Sequence, residues 1–133
     1  MNSGQNDHIV SSFDADLSKL DNMIAEMGGL AESQLSRSIE ALCRRDTTAA
    51  DRIVPADKRI DDLEEEIYEF TVKLLALRQP MAGDLRIVIS AIKMSSVIER
   101  IGDYAKNISK RTVGLDKSPS LTGALNTLSL IHI

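Results

Sequence analysis

The chain has 133 residues, of which 43% are hydrophobic and only 3% aromatic, and it contains no tryptophan. This length fits one domain, and a core built from aliphatic side chains favours long helices over sheets. The formal net charge of −4 argues against nucleic acid as the main partner, because phosphate backbones are bound by clustered lysine and arginine.

The sequence shows no targeting segment and no stretch that could cross a bilayer. Residues 1–8 are polar, and apolar runs such as residues 87–89 are far shorter than a membrane helix. The single cysteine, Cys43, cannot form an intrachain disulfide, which fits a reducing compartment. We therefore expect a cytoplasmic protein without a membrane span.

The first predicted helix covers residues 8–45. Its apolar side chains recur at spacings of four and three, as in a bundle helix: Phe13, Leu17, Leu20, Ile24, Met27 and Ala31, continued by Leu35, Ile39 and Leu42. Gly28 and Gly29 have low helix propensity and lie within this pattern. They indicate either a kink or the close approach of a neighbouring backbone, and the uninterrupted apolar pattern favours the close approach.

The second predicted helix begins at Asp46, a residue type typical of helix starts, and ends before Pro80. Pro55 predicts a bend near Val54. The apolar stripe of this helix again alternates spacings of three and four: Ile60, Leu63, Ile67, Phe70, Leu74 and Leu77.

The third predicted helix, residues 82–113, carries two stripes. The predicted core stripe consists of Ile87, Ala91, Met94, Ile98, Ile101, Ala105, Ile108 and Thr112. The other stripe starts with Leu85 and becomes wholly oxygen-bearing halfway along, at Ser96, Glu99, Asp103 and Asn107. Taken alone, a solvated helix face explains such a change.

Two acidic pairs suggest a more specific interpretation. Asp57 and Asp61 lie four residues apart on the second helix, as Glu99 and Asp103 do on the third. Like charges at this spacing repel by about 0.2–0.5 kcal/mol in an isolated helix. Neither Asp57 nor Glu99 has a lysine or arginine three or four residues away. Antiparallel packing of the two helices would bring the pairs together, and we therefore predict one cation site formed by all four carboxylates.

Ligation by oxygen alone suits hard ions such as magnesium, manganese, calcium or ferric iron, and it disfavours a structural zinc site.

The end of the chain has a different pattern. We interpret residues 115–120 as a linker and residues 121–133 as the truncated start of a fourth helix. The last six residues, 128–133, add leucine and isoleucine without an amphipathic period, and they match one reading frame of a transposon-end adapter used to prepare sequencing libraries. We expect this tail to be non-native.

Four segments of the sequence, in order, resemble the PhoU family: residues 27–30, residues 56–61, residues 78–86 and residues 99–108. The resemblance extends from residue 8 to residue 120. It implies an all-α, antiparallel three-helix bundle over residues 8–114, corresponding to one of the family's two tandem repeats. In some members the acidic motifs that match Asp57, Asp61, Glu99 and Asp103 hold metal ions, so we expect iron, manganese or magnesium as the cofactor.

The resemblance also implies a function. PhoU proteins regulate bacterial phosphate uptake by contact with the ATPase subunit of the phosphate transporter and with a sensor histidine kinase. They keep phosphate-starvation genes off when phosphate is plentiful. We therefore expect a non-enzymatic, metal-binding adaptor that forms a homodimer and can lie at the inner membrane through its partners.

Two alternatives remain open. One is a carboxylate-bridged metal enzyme, although the sequence lacks the Glu-x-x-His motif that di-iron bundles usually contain. The other is a purely structural helical bundle.

Overall fold

The computed structural model describes the backbone of residues 3–115 and the side chains of residues 12–115. Three helices, α1 (Ser3–Arg44), α2 (Thr47–Arg78) and α3 (Ala82–Leu115), each contact the other two. The short connections between them make consecutive helices antiparallel. The predicted all-α three-helix bundle is therefore confirmed for this part of the chain. The fourth-helix start and the tail expected to be non-native lie outside the described residues.

A two-residue turn ends α1 and begins α2. Arg45 has a positive φ of 54°, and its N–H donates to the Leu42 carbonyl at 3.2 Å. The next N–H, that of Asp46, donates to the Ala41 carbonyl at 2.9 Å, which completes a Schellman helix end. The Asp46 carboxylate then accepts from the Ala49 N–H at 3.0 Å and caps α2. Asp46 is thus the helix start that the sequence predicted.

The core lies where the middle parts of the three helices meet. Its fully buried members are aliphatic: Leu20, Met27, Ala31, Ile60, Leu63 and Ile67. Half-buried Phe70, Ile98 and Ile101 pack against them. Burying one leucine or isoleucine side chain contributes about 1.5–3 kcal/mol, so this cluster is the main source of stability that the described residues offer.

Among residues 3–115, no helix has an apolar stretch of the length that crossing a membrane requires.

The core stripe of α3 differs from the predicted one. Ile87 and Met94, both predicted to be core residues, are 49% and 52% exposed. The buried side chains of α3 are mostly small: Val88, Ser95, Gly102, Ala105, Ser109 and Thr112. Small residues let α3 approach its neighbours closely. The buried face of α3 therefore runs along these small residues, and large apolar residues such as Ile87 and Met94 lie outside it. Leu77, predicted as the last core residue of α2, is also exposed because it lies in the last turn of that helix.

Four of the five buried hydroxyl groups among the described residues bond to their own helices, and that of Ser109 has no partner there. The Ser38 hydroxyl donates to the Leu35 carbonyl at 2.7 Å, and the Ser95 hydroxyl donates to the Ile92 carbonyl at 2.7 Å. Such bonds satisfy a small polar side chain without a partner from another helix. Polar residues can therefore occupy core positions here at little cost.

Among the described glycines, Gly102 has the tightest surroundings, and the Gly28–Gly29 pair does not. A Cβ atom on Gly102 would lie 3.0 Å from Asp57 Oδ1 and 3.1 Å from Ile60 Cδ1. A Cβ atom on Gly28 would make only an ordinary contact at 3.8 Å, and one on Gly29 would meet nothing within 4 Å. The close approach expected at the glycine pair is therefore wrong, and α1 continues through it as a helix.

Alanine substitutions should separate these two kinds of glycine. Gly29→Ala should raise the free energy of unfolding by about 1 kcal/mol, because alanine has the higher helix propensity and the site has space. Gly102→Ala should lower it, because overpacking costs about 1–3 kcal/mol and outweighs the same gain. Urea denaturation followed by circular dichroism measures both. Equal stabilisation by the two variants would contradict the close approach at Gly102.

Candidate metal centre

Antiparallel packing of α2 against α3 brings the two acidic motifs together. One carboxylate oxygen from each of Asp57, Asp61 and Asp103 lies within 4.8 Å of the others. The structure thus places three of the four predicted ligands in one group. Glu99 lies one turn before Asp103 on α3 and joins the group through a hydrogen bond with the Asp103 carboxyl group. With Glu64 of α2, these residues form the carboxylate cluster: Asp57, Asp61, Glu64, Glu99 and Asp103.

Asp57 is the buried member of the carboxylate cluster. Its side chain is 2% exposed, and neither carboxylate oxygen has a hydrogen-bond partner among the described residues. Lys106 Nζ lies 3.8 Å from Asp57 Oδ2, close enough for an ion pair but too far for a hydrogen bond. Burial and the negative charge of Asp61 raise the pKa of Asp57, whereas Lys106 lowers it. A bound cation or proton would stabilise a buried carboxylate in this state.

The same environment raises the pKa of two neighbouring glutamates, Glu64 and Glu99. Burial, followed by the charges of Asp61 and Asp103, raises the pKa of Glu64. Burial, a hydrogen bond with the Asp103 carboxyl group and the surrounding negative charges raise the pKa of Glu99 to about 7. Among the described residues, Lys106 is the one ammonium group paired with the cluster, and its single charge cannot neutralise five carboxylates.

The donor atoms decide which ligands the cluster suits. Five carboxylates from two helices offer only oxygen, the donor that hard cations prefer. A structural zinc site would instead use cysteine or histidine. The cluster thus offers the donor atoms that a hard cation would need, and the cation itself stays a prediction.

Sequence reasoning missed two residues at this site. Gly102 has no side chain, and this leaves room for the Asp57 carboxylate against α3. Its position seven residues after Ser95, on the same helix face, was an available signal. Lys106 follows Asp103 by three residues, so its place beside the acidic pair could also have been read from the spacing.

Comparison with known proteins gives consistent findings. The family model of the PhoU domain matches residues 24–112. The chain is 46% identical over 130 residues to the phosphate-specific transport system accessory protein PhoU homolog of Xylella fastidiosa, and the match covers 96% of this chain and 54% of that protein. It is 41% identical over 122 residues to the protein of the same name from Caulobacter vibrioides, with 92% of this chain and 53% of that protein covered.

A solved structure agrees with the sequence comparisons. The crystal structure of PhoU from Pseudomonas aeruginosa is similar to this chain with a TM-score of 0.79 and 34% identity, over 88% of this chain and 57% of that one. The chain spans about half the length of the curated relatives that it matches.

The pKa of Glu99 predicts how stability depends on pH in the metal-free protein. The carboxyl group binds its proton more tightly in the folded chain, with a pKa of about 7, than in the unfolded chain, at 4.5. The stabilisation from this proton is complete below the unfolded value and is lost as the pH rises through the folded one. The free energy of unfolding in the presence of a chelator should therefore fall from acidic to alkaline pH, as measured by urea denaturation.

Glu99→Gln should weaken this pH dependence, because the amide does not titrate. Glu32→Gln is the matched control, since Glu32 is exposed on α1. If the Glu99→Gln variant keeps the pH dependence of the parent chain, a group other than Glu99 causes that dependence.

Proposed function

This chain belongs to the PhoU family, and on that premise we propose that it is an accessory protein of phosphate transport that binds a hard cation at the carboxylate cluster. The observation that carries the metal proposal is the buried Asp57 carboxylate, which lacks a hydrogen-bond partner and lies beside Asp61 and Asp103. The curated relatives are named accessory proteins, which supports a non-enzymatic role.

Within this proposal, Asp57, Asp61 and Asp103 hold the ion, and Glu64 and Glu99 complete the negative environment. Iron, manganese and magnesium all suit ligation by carboxylates alone. A bound ion supplies positive charge that neutralises the cluster. Because the ligands come from both α2 and α3, it also ties these two helices together and opposes their separation.

Removing ligands should abolish metal binding without unfolding the bundle. Asp57→Asn together with Asp103→Asn should weaken manganese binding at least about tenfold, because two of the three closest carboxylates lose their charge. Isothermal titration and metal analysis after dialysis measure the binding, and circular dichroism checks the fold.

Asp14→Asn together with Asp51→Asn is the control, since these exposed residues lie away from the cluster. We expect the parent affinity for that control. Full manganese binding by the Asp57 and Asp103 double variant would refute the metal proposal.

We further propose that the protein acts by contact. As a negative regulator it binds the ATPase subunit of the phosphate transporter and a phosphate-sensing histidine kinase, in the cytoplasm or at the inner membrane, and keeps phosphate-starvation genes off. Exposed apolar side chains next to the carboxylate cluster support a docking role. Tyr68 and Val72, one turn apart on α2, are 58% and 46% exposed, and Tyr68 shares a shallow groove with Glu64 and Ile92. The homodimer expected from the sequence stays a prediction.

Substitution of this surface should reduce partner binding. Tyr68→Ser together with Val72→Ser should weaken capture of the transporter ATPase at least about tenfold, because large apolar side chains dominate protein interfaces. Met81→Ser is the control, since this exposed side chain lies in the connection between α2 and α3. Unchanged capture by the double variant would exclude this surface. Metal-dependent turnover of a small substrate by pure protein would favour the enzyme alternative instead.

A further inference from the structure

A second groove lies between α1 and α2, whereas the carboxylate cluster lies between α2 and α3. It has a volume of about 570 Å³ and runs along the C-terminal half of α1 and the N-terminal half of α2. Leu30, Ala41 and Ile53 contribute apolar surface to it. A cavity of this size falls within the range of small-molecule sites, about 300–1,000 Å³.

The groove is rich in guanidinium groups. Each helix contributes two arginines seven residues apart, which places them on one face of that helix. These residues are Arg37 and Arg44 of α1 and Arg52 and Arg59 of α2. Two acidic residues, Glu40 and Asp46, also line the groove, so its lining carries a net charge of +2 in a chain whose formal net charge is −4.

Two of the four arginines already have partners. Arg44 pairs with Glu40 at 3.1 Å, and Arg59 pairs with Glu26 at 3.0 Å. The other two have no carboxylate within 4.0 Å among the described residues. Half of the positive charge in the groove is thus available to a ligand.

The alignment of α1 and α2 places the two available arginines near one level of the groove. Gln34 Nε2 donates to the Ala56 carbonyl at 3.0 Å, and this bond fixes how α1 and α2 are aligned. Three residues further along α1 and four residues back along α2 are Arg37 and Arg52. Because the helices are antiparallel, these two residues lie at the same level, one on each helix that lines the groove. Unpaired like charges in this arrangement favour an anion between them.

The groove also contains a buried acceptor without a donor. Gln34 is only 6% exposed, and its Oε1 atom has no hydrogen-bond partner among the described residues. Its Nε2 atom donates to the Ala56 carbonyl, so the amide is held in place, and its buried oxygen keeps an unused capacity to accept. Leaving a buried acceptor unpaired costs free energy, and a ligand with an N–H or O–H group would recover it.

We propose that this groove binds an organic phosphate. The phosphate lies between Arg37 and Arg52, the organic part covers the apolar surface, and a donor on that part bonds to Gln34 Oε1. A phosphate monoester carries about −1.5 to −2 charges at neutral pH, which matches the two unpaired guanidinium groups. Arginine also presents a planar pair of donors that fits phosphate oxygens. An acidic peptide would spread its carboxylates along the groove, whereas the unpaired arginines concentrate at one level.

Adenosine monophosphate is a suitable probe, because it combines a dianion, a flat apolar ring and an amino donor. Isothermal titration of the 133-residue chain in phosphate-free buffer should show binding. Adenosine and inorganic phosphate should each bind at least about tenfold more weakly, since each lacks part of the interaction. Arg37→Ala together with Arg52→Ala should reduce the affinity for adenosine monophosphate by a similar factor.

The control removes the same charge elsewhere. Lys73→Ala together with Arg86→Ala takes two exposed positive charges from the opposite end of the bundle and should leave binding unchanged. Gln34→Met should reduce the preference for adenosine monophosphate over inorganic phosphate, because the bond to Oε1 is lost while the apolar contact stays. Equal binding of those two ligands by the parent chain, an unaffected Arg37 and Arg52 double variant, or tighter binding of a polyglutamate peptide would each overturn the proposal.

Discussion

The packing of α2 against α3 depends on one contact, that of the Asp57 carboxylate with the bare backbone of Gly102. Any side chain at that position would occupy the space that the carboxylate needs. The contact sets the spacing of the two helices and therefore the distance between their acidic motifs. A charged group is also placed out of water without hydrogen bonds, and aliphatic packing nearby must offset its desolvation cost.

Helix α2 separates two kinds of electrostatic surface. The side that faces α3 carries carboxylates, including Asp61 and Glu64, whereas the side that faces α1 carries Arg52 and Arg59. The formal net charge of −4 conceals this division, because it averages over the whole chain. The two proposed sites therefore lie on two sides of one helix and share no residue.

The features that the sequence predicted correctly depend on residues close together in the chain. The helix ends followed from Asp46 and Pro80, and the carboxylate spacing identified Asp57, Asp61 and Asp103 as neighbours in space. The buried face of α3 was misplaced at Met94, because small residues that bring helices together carry little hydrophobic signal. The arginine groove was not predicted at all. Its charges come from two helices, and their alignment depends on a hydrogen bond between Gln34 and Ala56 that no periodicity shows.

The ammonium group of Lys106 would compete with a cation for the Asp57 carboxylate. Its ammonium group is attached to the same helix as Asp103, so its effective concentration at Asp57 stays high whatever the composition of the solvent. An ion bound as proposed would displace this group from Asp57, and the lysine side chain is one-third exposed to water. A monovalent ion brings no more charge than the ammonium that it replaces, whereas an ion of higher valence does. In the proposed metal site, the tethered lysine would therefore favour ions of higher valence without requiring a rigid cavity.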